Sequence, residues 1–262
     1  MSPFNKNGSM EKVFAVYKLP GETPLETLGR VRSAFFELEN ETLSYAGRLD
    51  PLAQGVMLVL SGKEANRERD RYLGMDKVYH FEVLFGVESD SFDPLGIAVK
   101  GSECPSNIAD MILAIQSDWR GEMVQHYPPF SSKTYKGKPL FQWAKEGVKV
   151  PLPKRLISIY ELSLLDIKYL PVSLILRSVK KRVAMVTGDF RQKEAIQSWE
   201  RVAGELGAGY LLPVARFRAK VSSGTYIRSM ASEMGSKCDT SAMALHISRI
   251  SVGPFDIVDT VL

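Results

Sequence analysis

The chain has 262 residues, of which 45% are hydrophobic and 24% charged, and a formal net charge of +4 at pH 7. That length buries a substantial core, and the balance is that of an ordinary globular protein. No window reaches the apolar length of a membrane span, and the opening Met1-Ser-Pro-Phe-Asn-Lys6 lacks the basic-then-apolar layout of a secretory signal. Two cysteines, Cys104 and Cys238, and three histidines exclude a disulfide framework and a sequence-evident metal site. A reducing, cytoplasmic setting with free thiols follows. The mild positive charge is compatible with a polyanionic partner but selects none.

In chain order, residues 1–12 are polar and read as a flexible tail, and 13–262 as one domain. Thr23-Pro-Leu-Glu26 is a capping box with proline at the first helical position, and the apolar spacing that follows predicts a helix to about Glu39. Tyr45-Ala-Gly-Arg-Leu-Asp-Pro-Leu-Ala-Gln-Gly-Val56 places Asp50 in a turn leading into the apolar run Val56–Leu60. Two readings stand there. Asp-Pro is an ordinary turn pair, and a carboxylate on a rigid turn is also where an aspartate nucleophile must sit. Val78 to Phe85 alternates and predicts a strand, and Ile108, Met111, Ile112 and Ile115 sit at helical spacing.

From 121 to 155 periodicity weakens while Pro, Lys and Gly accumulate, the composition of a long functional insertion around one short helix. Further strands are expected at 157–164, 172–177, 184–187 and 216–221. Helices are expected at about 191–206 and from near Gly224, the latter with Ile227, Met230, Ala231 and Met234 as its buried stripe and Gly235 at its cap. Helices and strands mix without a strict βαβ rhythm, so the fold class is α+β. Basic residues gather in Lys133–Lys138, Lys145–Arg155 and Arg216–Lys220, with aromatics nearby. That mixture suits RNA phosphate contact and base stacking, and equally suits a solvated surface.

Five separated segments together resemble the TruB family of RNA pseudouridine synthases: Lys18-Leu-Pro-Gly-Glu-Thr23; Gly47-Arg-Leu-Asp-Pro-Leu-Ala-Gln-Gly55; Lys77-Val-Tyr79 with Ser89-Asp-Ser-Phe-Asp-Pro-Leu-Gly96; Tyr127-Pro-Pro-Phe-Ser-Ser-Lys133 running on to Gly147; and Ser222-Ser-Gly-Thr-Tyr-Ile-Arg228 followed by Ile247-Ser-Arg249 and Gly253-Pro-Phe255. They occur in the family's order over roughly residues 17–255. The resemblance implies a pseudouridine synthase fold, with a mixed, mainly antiparallel sheet flanked by helices and an RNA-clamping insertion at about 127–155. It implies an isomerase that flips a uridine out of folded RNA and needs no cofactor and no metal. The expected partner is the T-arm stem-loop of tRNA, modified at position 55, by a monomeric enzyme. A synthase for rRNA or another RNA, or a non-catalytic RNA-binding module on the same scaffold, are the alternatives.

The same resemblance implies the roles of single residues. Asp50 is the expected covalent catalyst, Arg228 its salt-bridge partner and Tyr79 the ring that stacks on the base and joins in proton transfer. A fixed guanidinium suits a carboxylate in a dry pocket because it stays charged. Substrate contacts are expected from Tyr45, Arg48, Lys77, Asp90, Ser131, Lys133, Lys136, Lys138 and Ile247, with Arg155 also near phosphates. Tyr45 and Arg48 stand where the family usually has histidine and threonine. The sequence also stops soon after Gly253-Pro-Phe255, where bacterial members commonly continue into a PUA domain, so a short form without one is expected.

Overall fold

The computed structural model describes residues 11–262, so most of the expected flexible tail lies outside the described residues. The chain runs through β1 (Val13–Lys18), α1 (Pro24–Ala34), β2 (Leu43–Ala46), β3 (Gln54–Ser61), α2 (Gly62–Arg67), α3 (Arg69–Leu73), β4 (Lys77–Phe85), β5 (Val87–Ser89) and β6 (Ala98–Lys100). It continues with α4 (Ile108–Asp118), β7 (Gly121–His126), β8 (Thr134–Tyr135), β9 (Lys138–Pro139), α5 (Leu140–Lys145), β10 (Lys154–Pro171), α6 (Val172–Val183), α7 (Gln192–Leu206), β11 (Leu211–Val221), α8 (Ile227–Lys237), β12 (Ala242–Val252) and β13 (Phe255–Asp256).

The main sheet has the order β1-β3-β12-β4-β11-β10-β7, with β2 and β13 paired at its side. It is antiparallel throughout except where β12 meets β3, in parallel, at Ser248–Gln54 and Arg249–Gly55. This is the mixed, mainly antiparallel sheet of an α+β domain. Alternation along β4 sends Tyr79, Phe81, Val83 and Phe85 to one face, where they pack with α4 and α8 residues such as Ile112, Met230 and Met234. At one end of the opposite face, Leu84, Val214 and Met243 pack under α6 and α7 through Ile175, Val179 and Trp199. Gly55 permits the parallel crossing. With φ of +108°, a Cβ there would lie 2.2 Å from the Arg249 carbonyl oxygen.

The capping box forms as expected: Glu26 N–H donates to Thr23 Oγ1, and Thr23 N–H to the Glu26 carboxylate. The helix stops at Ala34 and a 3-10 turn, Phe36–Leu38, completes the segment. Three expectations fail. Residues 172–177 are helical, because Val172, Ile175, Val179 and Val183 form a buried stripe at helical spacing that runs on past the short apolar run. Residues 184–187 form no strand; they turn away from the end of α6. Gly235 does not cap α8 but lies inside it, where its bare Cα lets the helix lie against Ala242, whose N would be 2.4 Å from an added Cβ. The strand expected at 216–221 is the second half of β11, and that at 157–164 lies within the longer β10. No helix among the described residues is long and apolar enough to cross a membrane.

Candidate active site

Asp50 sits in the turn between β2 and β3, with Ala53 N–H donating to its carbonyl at 3.0 Å. That loop is held from below by cations. Lys18, fully buried at the end of β1, donates to the carbonyls of Leu19 (3.0 Å), Pro51 (3.1 Å) and Ala53 (2.7 Å). Burial lowers its pKa to about 8, against the pull of Glu22 and Asp50. Arg249, also buried, donates from Nε to the Val56 carbonyl and from Nη2 to that of Gly47, each at 2.7 Å. The backbone carrying Asp50 is thus fixed through its carbonyls, leaving the carboxylate free to face the cleft.

Arg228 enters from the first turn of α8. Its Nε donates to Asp50 Oδ2 at 2.7 Å and its Nη2 to Oδ1 at 3.0 Å, a bidentate pair. The rest of the guanidinium reaches the carbonyls of Ser91 (2.7 Å) and Phe130 (3.0 Å). Asp93 Oδ2 lies 3.7 Å from Nε, and its other oxygen accepts from Ser91 Oγ at 2.7 Å and Leu95 N–H at 3.0 Å. Burial works against the arginine's charge, but Asp50 and Asp93 together hold its pKa above the ordinary value. Burial pushes the Asp93 carboxyl up, with Arg228 opposing and Asp50 adding to the rise. The Arg228 side chain is 3% exposed and that of Asp50 31%, so the pair is buried on its cationic side and open on its carboxylate side.

A cleft of about 900 Å³ opens over this pair. It brings together Asp50, Tyr79, Arg228, Ile247, Arg48, Lys77, Ser131 and Lys133, as well as Arg155. Tyr79 and Ile247 are buried on adjacent strands and supply apolar wall. Tyr226, unassigned by sequence reading, also lines the cleft, edge-on to Tyr127 with ring centroids 5.3 Å apart. Burial, with Asp50 nearby, pushes its phenol up to about 12. Ser131 is buried with its hydroxyl unpartnered among the described residues.

Four expected contacts lie elsewhere. Tyr45 is half-buried against the α1 cluster, with Arg69 6.0 Å from its ring centre. Asp90 is outside the cleft and pairs with Arg191 at 2.8 Å; in the same turn, Asp93 is the carboxylate that reaches Arg228. Lys136 lies over Tyr135, and Lys138 over Trp143 while pairing with Glu146. Lys77 does line the cleft, but its buried ammonium donates to the carbonyls of Leu73 and Met75, and burial lowers its pKa to about 8. The basic run 216–220 alternates with Phe217 and Ala219, which pack beside Phe81 and Tyr79. Its cations therefore point to the sheet face away from the cleft, where Arg218 pairs with Glu161 at 2.6 Å.

A rigid carboxylate–guanidinium pair under an aromatic wall and a basic rim is a site for chemistry on a flat, polyanionic substrate. The family model described as TruB family pseudouridylate synthase (N terminal domain) matches residues 36–190, and the chain belongs to that family. It is similar to tRNA pseudouridine synthase B of Aquifex aeolicus (strain VF5), 29% identical over 252 residues that cover 96% of this chain and 72% of the relative. The corresponding enzyme of Clostridium kluyveri is 25% identical over 96% of this chain and 71% of its own length. Among solved structures, a Cbf5-Nop10-Gar1 complex matches with a TM-score of 0.56 at 20% identity over 93% of this chain. An H/ACA RNP bound to a substrate RNA containing 2'-deoxyuridine matches with a TM-score of 0.54 at 18% identity. The chain spans about half the length of those solved chains (49% and 48%), and the likeness is one of fold.

Proposed function

We propose that the chain isomerises uridine to pseudouridine in the T-arm of tRNA, at position 55. The bidentate Asp50–Arg228 pair at the floor of the cleft is the observation that carries this reading. Arg228 keeps Asp50 ionised and aims it, and Asp50 adds covalently to the target nucleotide so that the C1′–N1 bond breaks. The freed uracil turns against Tyr79 and Ile247, and C1′ rejoins at C5 as the bond to Asp50 breaks and the carboxylate is released. The C5 proton leaves, N1 takes one up, and no atom is gained or lost. Tyr79 stacks its ring on the base, and its hydroxyl takes part in this proton transfer.

Extruding the uridine from a folded stem-loop costs a few kcal/mol, which protein–RNA contacts must offset. Arg48, Lys133 and Arg155 at the rim are the cations available for phosphates. The segment 127–155 would act as the RNA clamp, and the enzyme would work as a cytoplasmic monomer. Names of relatives that act on tRNA support the substrate class.

The test is incubation of the protein, and of an Asp50→Ala variant, with unmodified total RNA, followed by mapping of pseudouridines through carbodiimide-dependent reverse-transcription stops. A new stop in the tRNA T-loop with wild type only is the expected result. A new stop only in rRNA would move the target, and no new stop anywhere would leave an RNA-binding module.

A further inference from the structure

Strands β10 and β11 stay paired to their ends, Pro171 opposite Leu211, so a short turn could join them. Instead residues 172–210 form the helical hairpin α6–α7, closed at its neck by Val172 N–H to the Tyr210 carbonyl at 2.9 Å. The hairpin folds back across the sheet and reaches both halves of the site. From α6, Arg182 donates to the Leu52 carbonyl at 3.1 Å, two residues beyond Asp50. From the tip, Asp189, Phe190 and Arg191 line the cleft.

Arg191 ties the hairpin to the site through Phe130. Its backbone lies in the left-handed region at φ 60°, an uncommon state for a residue with a side chain. Its guanidinium pairs with both oxygens of Asp90, at 2.8 and 3.2 Å. The same group lies 4.3 Å from the ring centre of Phe130. Phe130 in turn offers its carbonyl to Arg228 Nη2 at 3.0 Å. Ring and carbonyl belong to one residue, so gripping the ring holds the carbonyl on the catalytic-site arginine. A second, exposed tie joins hairpin tip and insertion, Lys145 Nζ to Asp189 Oδ2 at 3.3 Å; such pairs contribute little by themselves.

We propose that the α6–α7 hairpin is a positioning element for the Asp50–Arg228 pair, with Arg191 acting on Arg228 through Phe130. This rests on the isomerase reading above. Arg191 is a positioning residue; its guanidinium is committed to Asp90 and Phe130 and is not the contact that holds RNA.

The experiment compares the full-length protein with Arg191→Ala, Arg191→Lys, Phe130→Leu and the Arg191→Ala/Phe130→Leu double variant on unmodified tRNA transcript, reading single-turnover rate and Kd separately. Arg191→Ala should lower the rate about tenfold or more while Kd stays within about threefold. Lysine keeps a cation but presents no flat face to Phe130, so Arg191→Lys should also be slow. The double variant should be no slower than the slower single one, because both changes cut the same link. A Kd that rises with an unchanged rate would make Arg191 a phosphate contact and overturn the proposal. So would additive losses, or a lysine variant at the wild-type rate. If wild type itself forms no pseudouridine while binding tRNA, the isomerase reading fails instead. Should Arg191→Ala not fold, Phe130→Leu and Arg191→Lys carry the same comparison.

Discussion

Arg228 and Asp50 are 178 residues apart in sequence and form a two-pronged ion pair at 2.7 and 3.0 Å, with the arginine buried and the aspartate opening onto the cleft. Asp93 lies on the same guanidinium, so one buried cation serves two carboxylates of unequal access. The exposed one is free for chemistry. The buried one helps keep the arginine charged and in place.

Asp50→Asn keeps shape and removes the charge proposed as the nucleophile. Pseudouridine formation should fall at least about 10⁴-fold, while Kd for tRNA stays within about threefold, since the role proposed for Asp50 is chemical and not phosphate contact. Single-turnover assays alongside filter binding measure both.

Arg228→Met leaves Asp93 buried beside Asp50 without the guanidinium that faces both. Loss of one partner from such a pair costs about 3–5 kcal/mol, measurable by urea unfolding. Adding Asp93→Asn should recover part of that stability, since the orphaned buried charge disappears, but should recover no activity.

Tyr79→Phe retains the ring that lines the cleft and deletes only its hydroxyl. A rate loss of about 10²–10⁴-fold with unchanged Kd is expected if the hydroxyl handles a proton. A rate equal to wild type would reduce Tyr79 to a stacking surface.

Gly55→Ala would set a Cβ 2.2 Å from the Arg249 carbonyl oxygen at a φ of +108°. The β3–β12 crossing must shift, at a cost on the order of 3 kcal/mol. As Arg249 also ties the Gly47 carbonyl, activity should fall with stability. Thermal unfolding and the rate assay, run together, check the coupling.

Burial lifts the Glu233 carboxyl from 4.5 to about 7, opposed by a hydrogen bond from the His126 backbone. Between those values the folded state binds more protons than the unfolded one, so this group makes stability fall as pH rises from 4.5 to 7. Glu233→Gln removes the buried charge and keeps an acceptor for His126. Its Tm should match wild type near pH 4.5 and exceed it at pH 8. Equal Tm values at pH 8 would show that the carboxylate is solvated there.

Asp50, Tyr79 and Arg228 were legible through the resemblance of their motifs to a family, and local chemistry placed them in a turn, on an alternating strand and at the head of a helix. Local chemistry suffices where a turn, an alternation or a helical stripe determines which way a side chain points. It did not separate Asp90 from Asp93. Both lie in one Ser-Asp-Ser-Phe-Asp turn, and the positive φ of Phe92 together with the Ser91 hydroxyl decides which carboxylate turns inward. Lys18 and Arg249 stood within recognised motifs without a role, because what they hold is backbone carbonyls, which carry no sequence signal.

By itself, then, the sequence determined the α+β class and the capped first helix, while the carboxylate and guanidinium that meet were named by the resemblance of their motifs to a family. Periodicity and turn chemistry act over a few residues and survive without a partner. The tertiary structure covers the Val172–Val183 stripe with Trp199 and the sheet, and so holds as a helix a segment whose short apolar run had read as a strand. It alone turned the basic run 216–220 away from the cleft, since strand register determines which face a side chain joins. And it alone brought Arg191, Phe130 and Arg228 into one line, a contact among three segments far apart in the chain.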